Sequence, residues 1–273
     1  FTNQWAESAH GIAPVKDRSY VGGSCLDCHE GEAALENTFG ETANFVGKDD
    51  DARSSITCAV CHDPHGSPNA AQLRAPVEVA SEEHLCVQCH SRRGTPGLTS
   101  PNLHGPHGYQ GNLVLGEDIG WIPPNADLSG TFASTHGTEA NPQLCATCHV
   151  APQTITDTAG NFQVEAVGHT FEATPCLDEN GLPREGCTLA EQNFDACATS
   201  GCHGSADVAR NLFQTTKSGL NDLLDQLWTD TDDDHNLDTG DDGLLPQVLA
   251  LQGEDEINPA DSTFTTAEGA LWN

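Results

Sequence analysis

Apolar residues recur at helical spacing in one long stretch of this chain. Val208, Leu212, Phe213, Leu220, Leu223, Leu224, Leu227 and Trp228, with Thr216 among them, follow the three- and four-residue steps of an amphipathic helix. Ser205 stands in front of them as an N-cap, and Gly219 weakens the pattern without ending it. The spacing predicts one longer helix over 206–229, its apolar stripe packed on the preceding domain or on a neighbouring subunit. Upstream no such period exists. Segments 96–112 and 120–131 are dominated by Gly, Pro, Asn, Ser and Thr, which read as turns and loops. The expected fold is mostly irregular coil with short helices and little sheet. Downstream, Pro246 interrupts the apolar run that begins at Leu244 and argues against a helix there.

A chain with an apolar fraction of 36%, 5% aromatics and no Met is poor in core-forming material. The cysteines suggest what replaces it. Four segments read C-x-x-C-H: Cys25, Cys28 and His29; Cys58, Cys61 and His62; Cys86, Cys89 and His90; Cys145, Cys148 and His149. A fifth is stretched to four intervening residues, with Cys197, Cys202 and His203. Two thiols at this spacing add to the two vinyl groups of one porphyrin, and the next residue then falls beneath the iron as its proximal ligand. A zinc site or a redox dithiol also uses paired cysteines. Neither requires His directly after the second Cys, and five recurrences favour haem c. The intervals between motifs are unequal, so a solenoid is not expected. Instead, five covalent porphyrins would supply the apolar core that the loops wrap.

Ten cysteines belong to the motifs, leaving Cys176 and Cys187. These bracket a short turn-rich loop and are expected to form a disulfide in an oxidising compartment. The alternative is two free thiols.

Eight histidines lie outside the motifs. Five are needed if both faces of every iron carry imidazole, and Met cannot serve. His10, His65, His104, His107 and His136 each precede a Gly, which lets backbone pass close to a flat ring. His169 lies beside Phe171 in a Gly-His-Thr-Phe segment. The expected distal set is His10, His65, His107, His136 and His169, with His104 as the substitute for His107. His84 reads as a surface or propionate-contacting residue. A bis-His iron is low-spin and closed to substrates, which suits electron transfer more than catalysis.

The net charge of −31 repels nucleic acid and anionic membrane, and favours cations or basic partners. A saline habitat or a demand for solubility would produce the same balance. After the helix, Asp230, Asp232, Asp234, Asp238 and Asp241 fall at calcium-loop positions 1, 3, 5, 9 and 12. His235 replaces the position-6 Gly, and Asp241 replaces the usual Glu. A Ca2+-binding loop over 230–241 and a solvated acidic linker are both open readings. No segment approaches a membrane span. The chain begins at Phe1 and is read as a secreted protein whose signal peptide has been removed, periplasmic or extracellular.

With these motifs in view, the chain resembles bacterial multihaem c-type cytochromes of extracellular electron transfer, most closely those that polymerise into conducting filaments (nanowires). The resemblance rests on residues 1–204, through the segments 5–11, 61–66, 103–108, 134–137, 144–149 and 168–171. It implies a pentahaem domain over 1–205, distinct from an acidic C-terminal segment over 206–273. It further implies haems stacked edge to edge along the chain, self-association into a filament, and one distal His donated by the adjoining subunit, for which His10 is the candidate. Partners would be other redox proteins or extracellular acceptors. The alternatives are a soluble periplasmic shuttle or a subunit of a membrane redox complex. A multihaem reductase with one open haem is the less favoured reading, because ligands are in surplus and Lys and Arg number only 10.

Overall fold

Cysteines three residues apart share one face of a helical turn. The computed structural model forms that turn at four motifs, in helices Leu26–His29, Cys58–Cys61, Val87–His90 and Ala146–His149. Helix Asp195–Thr199 carries the first thiol of the fifth. The structure describes residues 2–12, 25–42, 53–78, 80–92, 94–95, 106–123, 126, 134–199, 202–253 and 266–273. Short helices and coil make up most of them, as expected. Their one regular sheet is an antiparallel hairpin, strands Gln153–Thr156 and Phe162–Ala166, in which Gln153 pairs with Ala166 and Ile155 with Val164.

The chain divides into two compact units, residues 1–89 with 135–210 and residues 90–134 with 211–273. In the first, apolar burial is concentrated in the motif turns. Leu26, Val60 and Val87 occupy the interior positions between paired cysteines and are all buried, as are the neighbouring Leu85 and Leu144. Polar side chains lock the loops around them. The buried carboxylate of Glu30, next to His29, accepts hydrogen bonds from the amide of Ala33 at 2.7 Å and the amide of Ser54 at 2.8 Å. It therefore ties the first motif to the strand of chain that leads into the second. Gln4, also buried, donates to the Gly181 carbonyl at 2.9 Å and accepts from the Val167 amide at 3.0 Å, anchoring helix Thr2–Ala6.

The second unit has a small core of Leu237, Leu245 and Leu249, with Trp228, Val248 and Ala270 packed against it. Helix Leu244–Gln252 contributes two of these leucines, so the sequence-based expectation at Pro246 is wrong. Pro246 lies in the first turn, where a backbone N–H has no intrahelical acceptor, and proline costs little there.

Helix Ala206–Leu227 begins as predicted, with the Ser205 hydroxyl accepting from the Val208 amide at 3.2 Å. It ends two residues before 229. Thr229 instead exchanges backbone hydrogen bonds with Asp242 at 2.8 and 3.2 Å, and the Trp228 indole donates to the Asp241 carboxylate at 2.7 Å. Of its apolar stripe, Trp228 packs on that small core. Val208, Leu212, Phe213, Leu220, Leu223, Leu224 and Leu227 are all exposed, Leu224 at 58%.

Candidate functional site

Each motif histidine must offer one unprotonated nitrogen if it is to bind a metal, and its other nitrogen then carries the proton. Two motifs satisfy this through backbone carbonyls. His62 Nδ1 lies 2.8 Å from the Ala71 oxygen, and His149 Nδ1 lies 2.8 Å from the Phe171 oxygen. A carbonyl only accepts, so in the neutral form both rings carry their proton on Nδ1 and keep the Nε2 lone pair. Both carbonyls belong to left-handed stretches of the chain, Ala71 at φ 53° and Phe171 at φ 58°. The reversal at Ala71–Gln72 also lets Leu73 pair with the His62 backbone, so the loop folds back under the ring it orients. His90 Nδ1 faces the Gln110 side-chain oxygen at 3.4 Å.

The expected distal ligands fall into different settings. The His169 ring lies 6.3 Å from that of His62, centre to centre, with the planes 19° apart. Its Nδ1 is 3.1 Å from the Val167 carbonyl, so it too keeps its Nε2 lone pair, and burial lowers its pKa toward the neutral form. The His136 ring lies 5.9 Å from His203 at 55°. His10 sits half-buried on helix Ala9–Ile12, its ring edge-on to Phe171 at 4.6 Å, which gives it a neighbour within its own chain. The His65 side chain is 92% exposed, 3.6 Å from Asp63, and His107 is exposed. His104 lies outside the described residues.

His84 is buried, not at the surface, and both of its nitrogens are engaged. Nε2 donates to the Gln143 carbonyl at 3.1 Å, and Nδ1 accepts from the Cys86 amide at 3.1 Å. It braces the third motif against the residues that lead into the fourth. His84 lies with the thiols of Cys86 and Cys145 in a group able, by distance alone, to hold a metal. With both imidazole nitrogens occupied, it has no lone pair to offer.

Several of the motif thiols influence one another and are held toward the protonated form. Burial, with Cys58 adding to it, pushes the Cys61 thiol up to about 11. Burial and the nearby Cys197 do the same for Cys148, also to about 11. Cys86 is raised further, first by its neighbour Cys145 and then by burial. Cys145 is lowered by the same neighbour.

The remaining two cysteines form the expected disulfide, Cys176–Cys187. It closes a hairpin in which the Arg184 amide donates to the Cys176 carbonyl at 2.9 Å. The Asn193 amide bonds Pro175 at 2.9 Å, so this staple secures the segment that enters the fifth motif.

In the acidic loop, carboxylate oxygens of Asp230, Asp232 and Asp234 converge. Asp241 is committed elsewhere, accepting from Trp228 and from the Thr231 amide at 2.9 Å. Asp238 accepts from the Gly240 amide at 2.6 Å. Exposed acidic groups often cluster in this way without an ion.

Sequence reasoning had no means of finding the carbonyls of Ala71 and Phe171, since any residue supplies one. Glu30 was more accessible to it, as an acid placed three residues before a helical amide.

Residues 51–95 match the doubled CXXCH motif family. The match contains the second and third motifs. A doubled CXXCH is a multihaem c-type cytochrome motif, and it indicates covalently bound haem c and a role in electron transfer. No curated protein and no solved structure is detectably similar to the chain. Among the described residues, no helix is long and apolar enough to cross a membrane.

Proposed function

We propose that this chain is a pentahaem electron carrier working outside the cytoplasm. Its five motifs would each bond one haem c through Cys25 and Cys28, Cys58 and Cys61, Cys86 and Cys89, Cys145 and Cys148, and Cys197 and Cys202. The matching residues His29, His62, His90, His149 and His203 would be the proximal ligands. His10, His65, His107, His136 and His169 are the distal set, with His104 in reserve. The doubled motif over 51–95 carries this reading. The proton-on-Nδ1 state of His62 and His149 supports it from the donor side. Haem iron held there would supply one-electron chemistry. The chain contributes placement, low reorganisation and exclusion of water. The Cys176–Cys187 disulfide supports an oxidising compartment.

The finer reading is self-association into a filament. The exposed apolar stripe of helix Ala206–Leu227 supports it, because a strongly acidic chain needs apolar surface to bind its own copies.

The deciding experiment measures covalent haem per chain and iron spin state in purified protein. Five equivalents, all low-spin, are expected. Fewer than five would overturn the pentahaem count, whereas a high-spin centre perturbed by cyanide would overturn the carrier reading and favour the reductase. Negative-stain imaging separates fibres from discrete particles.

A further inference from the structure

We infer that His169 is the distal ligand of the second haem, opposite His62, and that His136 is the distal ligand of the fifth, opposite His203. The inference rests on the haem reading above and goes beyond it by pairing individual residues. An imidazole nitrogen sits about 2.0–2.1 Å from a bound first-row metal, with the ring centre roughly 1.1 Å further back, so two imidazoles on opposite faces have centres about 6.3 Å apart. His62 and His169 stand at 6.3 Å, and His136 and His203 at 5.9 Å.

Aromatic rings in ordinary contact can reach the same separation, so distance is not the whole argument. Backbone carbonyls of Ala71 and Val167 occupy the Nδ1 atoms of His62 and His169. Each ring therefore retains Nε2 as its ligating nitrogen, the arrangement that outer hydrogen bonds impose on metal-binding histidines. A chance contact between two neutral rings has no need of both restraints.

Neither pair is sequential. The fourth motif is nearest in sequence to both His136 and His169, yet the fold carries these residues to the fifth and second motifs. His169 lies between Val167 and Phe171, whose carbonyl orients His149. One short segment thereby supplies a ligand to the second site and a restraint to the fourth. Iron would thus bond segments far apart in the chain, doing for a sparse core what long-range packing does elsewhere.

The test uses the matured holoprotein. His169→Ala should keep five covalent haems and convert one of five from low-spin to high-spin. In a chain without the second haem (Cys58→Ser with Cys61→Ser), the same substitution should add no high-spin signal. In a chain without the fifth (Cys197→Ser with Cys202→Ser), it should still add one. His136→Ala should show the reverse dependence. If His169→Ala does not mature, His169→Met decides. The chain has no methionine, so a thioether–iron signature with a raised potential can come only from that site. Five haems that all stay low-spin in His169→Ala, or a high-spin signal that persists without the second haem, would overturn the pairing alone. Fewer than five covalent haems in the unmutated protein would instead overturn the reading beneath it.

Discussion

The thiol of Cys86 lies within 4.8 Å of the thiol of Cys145, although the longest interval between motifs separates them. Cys148 is likewise close enough to Cys197 for each thiol to feel the other's charge. The third, fourth and fifth attachment sites are therefore neighbours in the order in which they occur along the chain. Under the proposed function, the fourth haem lies between two others. Charge added at one centre raises the cost of adding it next door. Replacing Cys145 and Cys148 with Ser should therefore narrow the spread of potentials among the remaining haems. Spectroelectrochemical titration measures that width, and an unchanged spread would contradict the adjacency.

Gly168 positions His169. Its φ of +75° is unfavourable for any side chain, and a Cβ there would overlap the backbone of Val150. Gly168→Ala should cost about 1–3 kcal/mol from the left-handed conformation alone, and more from the overlap. It should also displace His169, so a high-spin fraction should accompany the lower denaturation midpoint. A destabilised protein that keeps all irons low-spin would show that the two effects are separable.

The hairpin closed by Cys176 and Cys187 carries no motif residue. Substituting both with Ser should lower stability by about 2–4 kcal/mol, as expected for a short closed loop. Haem content should remain at five equivalents. Denaturant titration and a haem assay test these independently.

His84 gives the protein a defined response to acid. Burial lowers its pKa below the ordinary 6.5, and the hydrogen bond to Gln143 opposes this only in part. Its folded-state pKa is thus below its unfolded-state value, so the unfolded chain binds the proton more readily. The contribution of His84 is intact above about pH 6.5 and declines as pH falls below it. His84→Gln should be less stable at neutral pH and should lose less between pH 7.5 and pH 5.5 than the unmodified protein. Denaturation midpoints at the two pH values provide the comparison, and parallel losses would exclude His84 as the source.

Local features were legible in the sequence because their causes are local. The motif turns need only a three-residue spacing, the N-cap at Ser205 needs only a hydroxyl, and Cys176 and Cys187 had each other as the remaining pair. Misjudged features depended on contacts at a distance. The helix predicted to reach 229 stops at Leu227 because Thr229 is drawn to Asp242. His84, read as a surface or propionate-contacting residue, is buried, with Gln143 and the Cys86 amide using both of its nitrogens.

The histidines mark the same boundary most sharply. Sequence alone determined that this chain has paired thiols at haem spacing and more imidazoles than the motifs require, since both are matters of composition and short-range order. Which imidazole faces which was decided only by tertiary structure. Left-handed turns at Ala71, Phe171 and Gly168 bring carbonyls and rings together from the two sequence segments of the first unit, and no residue type announces that encounter in advance. A ligand pair is a relation between two positions in space, and it exists only once the loops between them have closed.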